Sequence, residues 1–182
     1  MTTEQQKTDW LKEHLPYELK MVRYSRRRLG DRLNYLQWNA HLQSFATSAR
    51  NVSHFLTNDD KGNLKASDYI QEFRSTKGNV ASKFAQCEPQ IFHLGKSRPQ
   101  STGKITFDDV SVMAEWIEEE MRKFLYDLKQ IDQTKGTNYS SLWDEAKSRP
   151  EPDADLVVVL GGPLSTSTAD PVTSKWKPGG QL

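Results

Sequence analysis

The chain has 182 residues, enough for one domain with an appendage and too few for two full domains. Its 25 basic and 24 acidic side chains leave a formal charge of +1, which excludes a global field that would draw in nucleic acid or an anionic membrane, so such a partner must meet a local patch. The single cysteine, Cys87, excludes an intramolecular disulfide and a zinc cluster built on paired cysteines.

Met1 to Lys12 is polar and lacks the apolar core of a signal peptide, and no stretch approaches the roughly 18 apolar residues that span a bilayer. With one cysteine, these features place the chain in the cytoplasm with no membrane partner. Hydropathy is low, yet tryptophan, tyrosine and phenylalanine are plentiful, which argues for a packed core rather than wholesale disorder.

The first helical period runs through Leu15, Leu19, Val22, Leu29 and Leu33, with Pro16 suited to a first turn. Arg26 fills the remaining slot, where its methylenes run along the core to reach water or its head group takes a buried carboxylate or phosphate. Gly30 and Asp31 mark a break or a kink. The longest stripe follows: Trp38, Leu42, Phe45, Ala49, Val52 and Leu56 predict a core helix that stops before the loop composition of residues 58–63. Ser67 is expected to cap a short helix through Phe73, Ser75 to Asn79 reads as a loop, and another helix is expected over Val80 to Cys87. Ile91, Phe92 and Leu94 supply apolar contacts before a connection over residues 96–104.

Thr106 and Asp109 have the spacing of a capping box, and Val110, Met113, Ile117, Phe124, Leu128 and Ile131 form a second long stripe that should pair with the helix around Trp38. Glu118 with Arg122 and Glu119 with Lys123 lie four apart, as on a solvated helix face. Ser141 and Asp144 open a last short helix that stops before Pro150. Residues 150–182 are rich in proline, glycine, serine and threonine and read as a flexible or peripherally docked tail. Within it, Leu156 to Leu160 is short and β-branched, and suits a lone strand, a docked strip or a segment for another protein. The expected architecture is an all-α antiparallel bundle of about five to six helices over residues 1–149 with an irregular C-terminal tail.

The leading candidate for chemistry is Arg50-Asn51-Val52-Ser53-His54. Arg50 and His54 are four apart and share a helix face with Leu36, Gln43 and Thr47, away from the apolar stripe. An imidazole can take a proton from a ribose 2′-hydroxyl while a guanidinium holds the attacked phosphate, so the pair would suffice for RNA cleavage without a metal. A solvated face carrying both residues is the competing reading. His93 sits among apolar residues, as an accessory to Arg50 or as a core histidine; His41 is expected to be structural, and His14 to cap or face solvent. Lys20, Arg23 and Arg27 can share one face of the first helix and would suit RNA phosphates or an acidic partner, with Glu13, Glu18 and Asp31 nearby to balance them. Cys87 lacks an evident base and reads as an inert thiol. The histidines lack close metal-ligand spacing and the Gly161-Gly162 pair lacks the pattern of a phosphate loop, so neither metal nor cofactor is expected.

A first helix with a basic end, the run Ser48-Ala49-Arg50-Asn51-Val52-Ser53-His54-Phe55-Leu56, then Ile91-Phe92-His93-Leu94 and a late tryptophan-bearing helix together resemble helical proteins of the HEPN type, over about Leu15 to Ile131. The resemblance implies an antiparallel bundle that often dimerises and, in active members, a ribonuclease using an arginine, a polar neighbour and a histidine; those roles would fall on Arg50, Asn51 and His54. Active members leave roughly four to six residues between arginine and histidine where three separate Arg50 from His54, and each residue turns a helical side chain by about 100°. The preferred function is therefore a non-catalytic helical interaction module that forms a homodimer or binds another protein, with RNA as a further partner. The alternative is a metal-independent ribonuclease acting on single-stranded RNA.

Overall fold

A computed structural model describes residues 3–59, 63–87, 89, 91 and 103–148. The chain divides into one unit over Met1–Arg149 and another over Pro150–Leu182; the second, including Leu156 to Leu160, lies outside the described residues. The described part is all α, without a strand. Helix α1 (Glu4–Asp9) passes through a π turn (Trp10–His14) directly into α2 (Leu15–Leu29), followed by α3 (Tyr35–Thr57), α4 (Ala81–Cys87), α5 (Phe107–Lys135) and α6 (Tyr139–Ser148), with 3-10 turns at Ala66–Asp68 and Gly78–Val80. None of these helices is long and apolar enough to cross a membrane.

The helix starts are set by side chains that satisfy the first orphan N–H groups. Thr106 and Asp109 form the expected capping box: the Asp109 N–H donates to Thr106 Oγ1 at 3.2 Å and the Thr106 N–H donates to Asp109 Oδ2 at 2.9 Å. Asn34 with Gln37 does the same for α3, so the chain breaks after Leu29 and restarts rather than kinking. Thr3 with Gln6 starts α1 well before the expected Leu15. Ser67 caps no helix, because Lys65 and Asp68 set a single 3-10 turn there and the chain runs on irregularly through Phe73. The last helix opens at Tyr139, two residues before Ser141, because Asp132 accepts the N–H groups of Tyr139 and Ser140. Gly136 lies between α5 and α6 at φ +68°, a backbone conformation that glycine adopts without steric cost.

Leu42, Phe45, Ala49, Val52 and Leu56 of α3 are buried, as are Val110, Met113, Ile117, Phe124 and Leu128 of α5 and Leu15, Leu19, Val22 and Leu29 of α2. Trp38 and Ile131, at the ends of their stripes, are only partly buried. Helix α2 runs antiparallel to α3, with Glu18 beside Asn51 and Tyr24 beside His41. It is also antiparallel to α5, with Arg23 beside Glu118 and Arg26 beside Glu115. The two long helices therefore share the core as their stripes predict while pointing the same way, which requires the long crossover over residues 58–106. That crossover is tied to the core by Tyr69 and Phe73, both edge-on to Phe124, and by the Ser75 N–H donating to Leu56 O at 3.2 Å.

Phe45 is fully buried on α3, so Phe45→Ala should cost about 3–5 kcal/mol by lost burial and the cavity left behind. Urea unfolding of parent and variant measures this as a drop in midpoint at unchanged slope.

Candidate functional site

The stripe that buries one side of α3 leaves the other side bare. Leu36, Ala40, Gln43, Thr47, Arg50 and Asn51 are exposed along that face, and His54 is half-buried at its end. Arg50 and His54 stand one turn apart and line the same cavity, of about 310 Å³, between α3 and α4. Ala46 and Ser53 complete the α3 side; Ala81, Phe84, Ala85 and Cys87 of α4 form the opposite wall; Lys77, from the crossover, closes one end. Asn51 belongs elsewhere. One residue beyond Arg50 it has turned toward α2, where its Nδ2 donates to Glu18 Oε1 at 2.8 Å. Thus Arg50 and His54 come together while Asn51 does not join them, and His93 lies outside the described residues.

Lys77 is the cationic residue of the cavity without a signal in the sequence, since it sits in an irregular segment with no period to place it. Its position follows from the fold. The Ser75 bond to Leu56 brings the crossover against the end of α3, and Lys77 Nζ then lies 3.3 Å from Asp59 Oδ2 and 5.5 Å from the centre of the Phe84 ring. Asp59 is held well on the ionised side: the Thr57 hydroxyl 2.6 Å away lowers its pKa, and Lys77 and His54 add to that effect against a smaller cost of burial. On the α4 wall, burial and the charge of Asp109 push the Cys87 thiol up to about 12, so it remains protonated near neutrality.

Two of the three α2 residues expected on a basic face, Lys20, Arg23 and Arg27, make contacts within the chain. Arg23 forms a fork with Glu118 of α5 at 2.6 and 2.7 Å, Arg27 lies over the Tyr24 ring at 5.8 Å, and neighbouring Arg28 pairs with Asp31 at 2.9 Å. Arg26, the odd residue in the α2 stripe, reaches Glu115 at 2.8 Å at the edge of the core. Glu118 is engaged by Arg23 and Arg122 bonds Glu119, while the expected pair of Lys123 with Glu119 is present at 3.9 Å beside a closer one with Glu120 at 2.7 Å. His41 makes an edge-on ring contact with Tyr24 at 5.8 Å, a structural role as expected, and His14 is exposed beside Trp10.

Two other hollows bound the choice. The larger, about 680 Å³, lies between residues 72–76 and α5; of its charged residues, Arg122, Lys123 and Glu120 bond within the chain, and Arg74, Glu72 and Asp127 also line it. A groove of about 440 Å³ between α2 and α3 is lined by Tyr17, Met21, Ala40, Gln43 and Thr47 and holds one acid, Glu18. Among the described residues no three histidine, cysteine, aspartate or glutamate side chains converge as metal ligands would. No family model, curated protein or solved structure matches the chain.

If Arg23 serves the α2–α5 packing, Arg23→Ala and Glu118→Ala should each cost under about 1 kcal/mol, and the double variant less than their sum, because the two share one exposed pair. A double-mutant cycle by chemical denaturation gives that result; additive losses would separate the two residues.

Proposed function

We propose that the chain is a HEPN-like helical bundle that acts as a non-catalytic interaction module and pairs with a second copy of itself through the outer face of α3. The observation that carries this reading is the apolar surface on and beside that face. Leu36 is 77% exposed, Tyr35 70% and Tyr17 60%. Single exposed apolar residues are ordinary, but here they flank the α2–α3 groove, whose lining of Ala40, Ser44, Thr47 and Ser48 lets another helix approach closely. Large aromatic side chains beside small residues give contact area at low entropic cost, the composition of an interface centre. A two-fold contact uses the same patch on both copies, which suits a face lying along one straight helix.

A second reading, a metal-independent ribonuclease acting on single-stranded RNA, is supported by one observation: Arg50 and His54 line one cavity. In it His54 would take the 2′-hydroxyl proton and Arg50 would hold the phosphate. It ranks second because Asn51 is turned to Glu18.

Sedimentation velocity over a concentration series should show the parent moving from one copy toward two, with Leu36→Glu raising the midpoint concentration at least tenfold, about 1.4 kcal/mol. A single-copy mass at every concentration would reject the dimer. Labelled single-stranded RNA incubated with the parent in chelator should stay intact; cleavage lost in both Arg50→Ala and His54→Ala would move the ribonuclease reading to first place.

A further inference from the structure

Tyr17, Lys20, Tyr24 and Arg27 follow one another along α2 at three-four-three spacing, which holds them within an arc of about 80° at 100° per residue. Tyr17, Tyr24 and Arg27 are exposed and Lys20 is half-buried. Rings and cations thus alternate along about 15 Å of helix, room for about four or five nucleotides at the 3.4 Å spacing of one strand. We infer that this strip binds single-stranded nucleic acid without reading its sequence, the bases stacking on the two tyrosines and the phosphates meeting Lys20, Arg27 and the nearby Arg32.

The cations in and after α2 sort into two groups. Arg23 and Arg26 meet Glu118 and Glu115 of α5, and Arg28 meets Asp31. Lys20, Arg27 and Arg32, which is exposed in the turn that follows, meet no carboxylate among the described residues. Arg27 lies over the Tyr24 ring at 5.8 Å, a contact that leaves its planar fork of N–H donors for phosphate oxygens. Glu18, between Tyr17 and Lys20 in sequence, accepts from Asn51 of α3 at 2.8 Å. The helix dipole favours cations in the last turn of α2, but Lys20 stands more than two turns earlier. Tyr24 is held edge-on by His41 of α3 at 5.8 Å, so one stacking surface is in place before a ligand arrives. An acidic peptide would answer the cations and leave the rings idle, whereas every base has a face to stack on them. The strip shares only Tyr17 with the proposed pairing face and no bond breaks, so the inference rests on neither pairing nor catalysis.

The test is fluorescence anisotropy of the full chain with a labelled oligothymidylate of about 12 nucleotides, which has no 2′-hydroxyl for a ribonuclease to use. Binding at about 50 mM salt should saturate, and its logarithm should fall against that of salt with a slope of about −2, roughly 0.7 for each of three phosphate contacts. Lys20→Gln, Arg27→Gln and Arg32→Gln should each weaken binding about threefold or more and flatten the slope by about 0.7. Tyr17→Leu and Tyr24→Leu should each weaken it about fivefold or more with the slope unchanged, and Tyr24→Phe should bind as the parent does. Tyr17→Leu, at the more exposed ring, carries the stacking test if Tyr24→Leu lowers the unfolding midpoint. Lys129→Gln, an equal loss of charge at an exposed position of α5, should bind as the parent does. No saturation, an equal loss in Lys129→Gln, or parental binding in Tyr17→Leu would overturn the inference. So would equally tight binding of a duplex or of a polyglutamate peptide of matching length, since neither offers free base faces.

Discussion

Phe124 is where the separate parts of this domain meet. Its ring is fully buried in α5 and takes three edge-to-face neighbours: Phe55 of α3 at 5.1 Å, Phe73 at 5.4 Å and Tyr69 at 6.0 Å. Such contacts contribute about 0.5–1.5 kcal/mol each beyond the area they bury. Their larger consequence is positional. Tyr69 continues outward to Tyr139 of α6 at 5.3 Å and donates its hydroxyl hydrogen bond to Lys7 O at 2.9 Å, so the N-terminal helix, the crossover and the last helix are all referred to one ring. Burial, with Tyr139, Asp68 and Glu4 nearby, pushes the Tyr69 pKa upward, and the residue stays neutral there.

From this anchor the two sides of α3 take different roles. Its inner side is spent on the core, and its C-terminal turn is closed by Asn58, which adopts φ 60°, donates to Phe73 O at 3.0 Å and accepts from the Ser67 N–H at 3.1 Å. That clamp and the aromatic contacts fix the crossover, and the crossover delivers Lys77 to the cavity. The outer side of α3 contributes nothing to the core, which leaves it open to selection for binding. The proposed self-association uses one part of that face, Leu36 to Thr47, and the cavity lined by Arg50 and His54 lies beyond it.

Much of the helical framework was legible because period carries it. The stripes of α3 and α5 and the Thr106–Asp109 box depend on residues within a few turns of one another. The N-terminal helix was legible only from Leu15: Leu11, fully buried, keeps the helical spacing four residues before Leu15, but the polar composition of residues 1–12 around it hides the extension. The crossover was opaque for a different reason, since Tyr69 and Phe73 are placed by a helix some fifty residues later and no local pattern announces it. The candidate site divides in the same way. Arg50 and His54 share a face by spacing alone, whereas Asn51's turn to Glu18, Arg23's pairing with Glu118 and Lys77's arrival each depend on which helix lies alongside. A charge count over α2 cannot show that Arg23 is paired, because the carboxylate it meets lies 95 positions away.

The aromatic anchor thus holds the crossover, and through it Lys77, in place. Native-state hydrogen exchange on Phe124→Leu against the parent tests this directly, because a leucine keeps the site apolar and removes the edge-on ring contacts. The account predicts that the amides of Ile70, Phe73 and Ser75, which bond to Ala66, Ile70 and Leu56, lose protection selectively while those of Leu19 and Val22 in α2 keep theirs. Protection unchanged in the crossover, or lost evenly across α2, α3 and α5, would contradict it.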